Sequence, residues 1–158
     1  MSRAASKSEH KRPTAQGVEC APIDGIYTAP KPVDIGQNGI YTVWIPRWHP
    51  TPINRILWIH WAKKARMIKA DAATIVAYAA KAGLPKNCET RQRVGMTIVL
   101  KPKQRACDPD SQWKNVLDGL RKFGAIVDDS RTWLELEPVK YERGTVETWG
   151  TRITVGAA

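Results

Sequence analysis

The chain has 158 residues, with 25 Lys and Arg against 15 Asp and Glu, a formal net charge of +10 and 42% hydrophobic residues. That is globular composition with room for one modest domain, and no apolar run approaches the roughly 20 residues of a membrane-spanning helix. The polar start MSRAASKSEHKRPTAQG lacks the apolar stretch of a secretory signal, so a cytoplasmic protein with no membrane partner is expected.

Residues 1–38 interleave Pro13, Pro22, Pro30 and Pro32 with Gly17, Gly25 and Gly36 and carry no apolar period, which predicts a disordered leader. Ile40–Ile45 alternates as a strand does, and the proline-punctuated PRWHPTPIN that follows reads as a loop. From Asn54 to about Gly83, Trp58, Trp61, Ala65 and Ile68 recur at three- and four-residue steps, which predicts a helix stopped by Gly83 and Pro85. Val94–Leu100 is apolar and rich in β-branched residues, as a central strand is. Next, Asp108 suits an N-cap and Pro109 the first helical position, and Trp113, Val116, Leu117 and Leu120 form a stripe ending at Gly124. Trp133–Tyr141 and Glu147–Val155 read as two last strands joined by a turn at Arg143-Gly144. The predicted fold class is α/β (α+β) in the order β-α-β-α-β-β, a mixed sheet packed by helices over residues 39–158.

Charge is segregated along the chain. Residues 47–105 hold thirteen basic and two acidic residues, whereas 108–158 hold seven basic and nine acidic. A basic block ending at Arg105, with acids beginning at Asp108, suggests a phosphate backbone drawn to one surface and met by carboxylates beside it. Candidate nucleic-acid contacts are Asn54, Arg55, Lys63, Lys64, Arg66, Lys101, Lys103 and Arg105. Cys20, Cys88 and Cys107 are odd in number and without a CxxC, so neither a zinc knuckle nor a disulfide framework is expected.

The chemistry is concentrated in CDPDSQWKNVLDGLRKFGAIVDDSR. Asp108 and Asp110 stand at a helix start, whose partial positive charge keeps them ionised, and Asp128 and Asp129 lie in the loop beyond Gly124. If that loop folds toward the helix start, three or four carboxylates converge as an all-oxygen site suited to Mg²⁺ or Mn²⁺. Lys114 is four residues from both Asp110 and Asp118, a spacing that serves either a surface charge ladder or an ammonium aimed at phosphate. Taken singly, Asp108 is an ordinary cap and Asp128-Asp129 an ordinary turn.

The order Asp108-x-Asp110-x-x-x-Lys114, then Leu117-Asp118-x-Leu120, then Asp128-Asp129, resembles the RusA family of Holliday junction resolvases. The resemblance covers about residues 40–155 and includes Pro52-x-Asn54 as the family's proline-to-asparagine loop. It implies a homodimeric endodeoxyribonuclease that cuts four-way DNA junctions in recombination and repair, at the nucleoid. By position it implies Asp108, Asp110 and Asp129 as ligands of Mg²⁺ or Mn²⁺ and Lys114 as the catalytic lysine, with Asp128, Asp118 and Lys140 in support. One position departs from the pattern: the family's Asn after the second aspartate is Ser111 here, with a shorter reach.

Seven tryptophans are present. Helical spacing favours a core role for Trp58, Trp61 and Trp113, and Trp48, in the proline-rich loop, is the candidate for stacking on DNA bases. Two other functions fit the same residues: a non-catalytic basic nucleic-acid-binding protein, and a nuclease of the same chemistry acting on other DNA structures.

Overall fold

The structure, a computed structural model, describes residues 39–86 and 88–158; the expected leader, residues 1–38, lies outside them. In chain order the elements are β1 (Tyr41–Pro46), α1 (Ile53–Ile56), α2 (Trp61–Lys81), β2 (Gln92–Leu100), α3 (Asp110–Phe123), β3 (Leu134–Leu136), β4 (Lys140–Arg143) and β5 (Gly150–Ala157). The strands make one mixed sheet in the order β1-β5-β2-β3, with β4 also paired to β2. β5 runs antiparallel to β1 and β2, and β3 and β4 run parallel to β2.

The period-2 pattern of β2 sets the buried face, because Val94, Met96, Ile98 and Leu100 all point to one side. Across the sheet, Met96 aligns with Ile153 and Val43, and Val94 with Val155, which gives continuous apolar rows. Ile75 and Ala79 of α2 and Trp113, Val116, Leu117 and Leu120 of α3 cover these rows in one hydrophobic core. The opposite face carries ion pairs, Arg93 with Glu135 at 3.1 Å and Arg152 with Glu142 at 3.8 Å.

α3 follows the sequence closely. Its stripe is buried, Pro109 has helical angles just before it, and Gly124 ends it at φ 91°, where a side chain would be strained. The Gly124 amide bonds to the carbonyls of Leu120 and Arg121, both at 3.0 Å. α2 and α3 meet at Gly119, where an added Cβ would lie 2.7 Å from Ile75 Cδ1, so the helices approach as closely as a glycine allows.

Two elements differ from expectation. The single helix expected from Asn54 to about Gly83 is split into the one-turn α1 at Asn54 and the long α2 from Trp61, and α2 buries Asp71, Ala72, Ile75 and Ala79, not the Trp58-Trp61-Ala65-Ile68 series. The strand expected over Trp133–Tyr141 is two strands, broken at Glu137–Val139, because Pro138 has no N–H to give the ladder.

This topology sorts the loops. β1 and β2 point the same way, so segments 47–60, 101–109 and 144–149 and the starts of α2 and α3 gather at the carboxyl end of β2. Segments 83–86, 88–91 and 124–133 gather at the other end, where the Gln92 amide bonds to the Trp133 carbonyl at 2.9 Å. Among the described residues no helix is long and apolar enough to cross a membrane.

Candidate functional site

At the carboxyl end of β2, Asp108 and Asp110 are exposed at the start of α3. Asp108 does not cap the helix with its side chain. Ser111 Oγ donates to the Asp108 carbonyl at 2.7 Å, and the Asp108 carboxylate turns outward, where Oδ2 accepts a hydrogen bond from Asn54 Nδ2 at 3.2 Å. The Pro52-x-Asn54 loop and the Asp108-x-Asp110 motif, 54 residues apart at this contact, thus form one surface. Lys114 is exposed one turn along α3.

A buried network holds that surface. Asp71 is 6% exposed and its Oδ2 accepts from the Thr51 amide and from Asn115 Nδ2, both at 3.0 Å; Asn115 Nδ2 also donates to the Thr51 carbonyl at 2.9 Å. The loop carrying Asn54 is therefore tied to α2 and α3 just beside Lys114. Hydrogen bonds to a charged group are worth about 1.5–3 kcal/mol, and a buried carboxylate without them is costly. Sequence reading missed Asp71 and Asn115, whose only signal was a pair of polar residues on otherwise apolar helix faces.

The expected convergence of Asp128 and Asp129 on Asp108 and Asp110 is not found within the chain. Asp128 Oδ1 caps the Asp129 amide at 2.8 Å and lies 3.9 Å from Arg121 Nη1, in the last turn of α3. From Asp110 to Arg121 the helix rises about 17 Å at 1.5 Å per residue. The loop then enters β3 level with Gln92, whereas Cys107 is held level with Ile98 by Tyr141, about 20 Å away along the strand. Among the described residues no group of three or more His, Cys, Asp or Glu is gathered to hold a metal ion. Asp118 sits 3.9 Å from Arg121. Lys140 pairs with Glu137 at 3.5 Å and, adjacent to Tyr141 in β4, points to the opposite face of the sheet from the Tyr141 hydroxyl near Asp108.

The basic candidates do cluster. Arg55, Lys63, Arg66, Lys101, Lys103 and Arg105 are exposed at the carboxyl end, with Lys64 half-buried among them. Lys103 marks a loop tip at φ 65°, and Lys101 Nζ lies 3.9 Å from the ring centre of Trp149. The tryptophans reverse the expectation: Trp58 is 94% and Trp61 75% exposed, whereas Trp48 is half-buried against the core; Trp113 is buried as expected. Trp58 is exposed because α1 ends before it, so it never joins the helical period.

Between the Pro50–Pro52 loop, α2 and β2 lies a cavity of about 290 Å³, lined by His49, Arg55, Met67, Ile98 and Gln112 among others. His49 Nε2 faces the Val99 carbonyl at 3.0 Å and Nδ1 faces Gln104 Nε2 at 3.2 Å, the pattern of a neutral ring protonated on Nε2. Burial lowers the His49 pKa below 6.5; the Val99 and Gly150 backbone oppose this and the Lys101 charge adds to it. Burial raises the Tyr141 pKa, as do the neighbouring Cys107 and Asp108. The Tyr141 hydroxyl therefore keeps its proton and donates it to the Cys107 carbonyl at 2.6 Å. Gln112 Nε2 donates to that hydroxyl at 3.4 Å, and Gln112 Oε1 is buried with no partner among the described residues, a cost of about 1–3 kcal/mol.

The chain matches no protein-family model and no curated protein sequence.

Asn115→Ala is expected to lower the unfolding free energy by about 2–3 kcal/mol, because it strips a donor from buried Asp71. In urea titrations Asp71→Leu combined with Asn115→Leu should cost less than the sum of the single changes; strict additivity would mean the two do not interact.

His49 gives a pH dependence of definite sign. Its folded-state pKa lies below 6.5, so the unfolded chain takes up the proton first on acidification. Its stabilising contribution is complete above pH 6.5 and is lost as pH falls through the folded-state value. Thermal unfolding between pH 8 and 5 should show this loss, and His49→Gln should flatten it.

Proposed function

We propose that the chain is a metal-dependent endodeoxyribonuclease of the RusA type, acting on four-way DNA junctions as a homodimer. The observation that carries the reading is the Asn54–Asp108 hydrogen bond, which joins two distant motifs of the resemblance at one exposed, base-flanked surface.

Asp108 and Asp110 offer hard oxygen donors in front of a helix start, which suits Mg²⁺ or Mn²⁺. One chain supplies two of the three aspartates that the resemblance implies, and Asp129 stands at the far end of α3. In this reading the set is completed by the Asp128-Asp129 pair of a second copy. The outward stripe of α3 favours such a partner. Asp110, Lys114, Asp118 and Arg121 are its solvent-facing charges along with Lys122, and read antiparallel they pair Asp110 with Arg121 and Lys114 with Asp118. A two-fold axis there sets the start of one helix beside the end of the other, as an isologous interface requires. The approximate two-fold symmetry of a junction calls for two equivalent sites as well.

Asp108 and Asp110, with Asp129 of the second copy, would hold the cation, which would supply Lewis-acid polarisation of the scissile phosphate and a lowered pKa for the attacking water. The chain's own residues do the rest. Asn54 orients the Asp108 carboxylate, Lys114 places a positive charge beside the phosphate, and the cations from Arg55 to Arg105 grip the backbone with an affinity that falls steeply with salt. Exposed Trp58 and Trp61, interleaved with Arg55, Lys63 and Lys64, offer flat faces to bases unstacked at the branch point. A second reading, a binding protein without catalysis, is favoured by the two-carboxylate count within one chain; it binds in EDTA and never cuts.

Asp110→Asn and Asp129→Asn should each abolish cutting and leave junction binding intact. Mixing the two inactive variants under conditions of subunit exchange should restore about a quarter of the wild-type rate, because half the dimers then hold one complete site. No recovery on mixing would contradict the shared site, and full activity of both single variants would remove the metal centre.

A further inference from the structure

We propose that the cavity beside Asp108 is a socket for a second copy of the chain, taking the Val127 side chain between its apolar walls while Arg55 at its mouth pairs with Asp128 of the same segment. The inference rests on the shared site proposed above and names the contact that seats it.

The segment that has to reach Asp108 carries an apolar knob of its own. After Gly124 the chain folds back on the core, and Ala125 and Ile126 are at most 2% exposed. Val127 then turns outward and is 45% exposed, directly before the half-buried Asp128 and the exposed Asp129. Charge alone holds such a segment loosely, because exposed ion pairs are weak and screened by salt. An apolar side chain withdrawn from water is held whatever the salt, so Val127 can fix where Asp129 stands.

Position follows from α3. Its antiparallel pairing of Asp110 with Arg121 and of Lys114 with Asp118 is centred close to Val116. At 1.5 Å per residue, Asp108 and Gly124 of the other copy then lie level with each other, each about 12 Å from the centre. The other copy's segment 125–129 therefore starts beside Asp108. The cavity opens there, since its lining includes Cys107 and Arg55, the chain neighbours of the hydrogen-bonded Asp108 and Asn54.

The chemistry is complementary. Pro50, Pro52, Met67, Ile98 and Leu100 give apolar walls, and about 290 Å³ takes a branched aliphatic side chain with the backbone that carries it. Both ring nitrogens of His49 are engaged already, by Val99 and Gln104. Arg55 is exposed and pairs with no carboxylate among the described residues. Asp128 holds only a loose contact with Arg121 at 3.9 Å, and in the dimer Arg121 faces Asp110 of the other copy, which leaves Asp128 for Arg55. The two-fold axis makes the contact twice, one socket beside each site.

The test is a disulfide between copies, made in the full chain with Cys20→Ser and Cys88→Ser. Val127→Cys is expected to cross-link to the native, exposed Cys107 under mild oxidation, giving a dimer on a non-reducing gel that Cys107→Ser abolishes. Within one chain these positions are about 20 Å apart along the sheet, so such a bond can only join two copies. Ala77→Cys, exposed midway along α2, gives the background of random collision. In light scattering across a dilution series, Val127→Lys should raise the dimer dissociation constant by about tenfold or more. A wild-type dimer whose Val127→Cys variant cross-links no more than Ala77→Cys, or whose affinity survives Val127→Lys, would overturn the socket and leave the shared site in place. A wild-type chain that stays monomeric would overturn both.

Discussion

The Asp71 carboxylate, buried between α2, α3 and the Thr51 backbone, is the constraint on which the site surface depends. A charge removed from water is tolerated only where donors surround it, and here the donors are a loop amide and the Asn115 side chain. The loop 47–52 has too many prolines to pair in the sheet, so it takes its fixed path from this anchor and from the Thr151 hydroxyl on the Trp48 carbonyl at 2.9 Å. With the loop held, Asn54 meets Asp108, and the cavity walls formed by Pro50 and Pro52 stay apart from β2.

The sheet then decides what can act together. In a strand–helix–strand unit the two ends of the helix face opposite ends of the sheet, and α3 is long enough to keep Asp110 and Asp128 apart by most of a small domain's width. An acidic motif that reads as one cluster along the chain is thus two separate groups in space. One carries Asp108, Asp110, Lys114 and Asn54; the other carries Asp128, Asp129 and Arg121. In the proposed dimer the charges along α3 would face their opposites across the two-fold axis, each such exposed pair adding at most about 1 kcal/mol.

Much of this was legible in the sequence. α3 announced itself through Pro109, a four-residue apolar stripe and Gly124, three local signals that agree. β1, β2 and β5 were readable from alternation and β-branched content. Trp58 and Trp61 were misplaced because four apolar residues at helical spacing imitate a buried face, while the real face begins at a polar residue, Asp71, whose partners are 20 and 44 residues away. Pro138 was a visible strand breaker passed over. The separation of Asp129 from Asp108 was not legible, since it follows from β3 pairing parallel to β2, which no local pattern encodes.

Whether the surface around Asp108 cuts branched DNA with a divalent cation is read most directly by incubating the full chain with a four-way junction and with linear duplex of the same length, each with Mg²⁺ and with EDTA. A junction resolvase should leave paired nicks in the junction, dependent on Mg²⁺, with the duplex intact. Tight junction binding that is unchanged by EDTA, with no strand cut in Mg²⁺ or Mn²⁺, would contradict it.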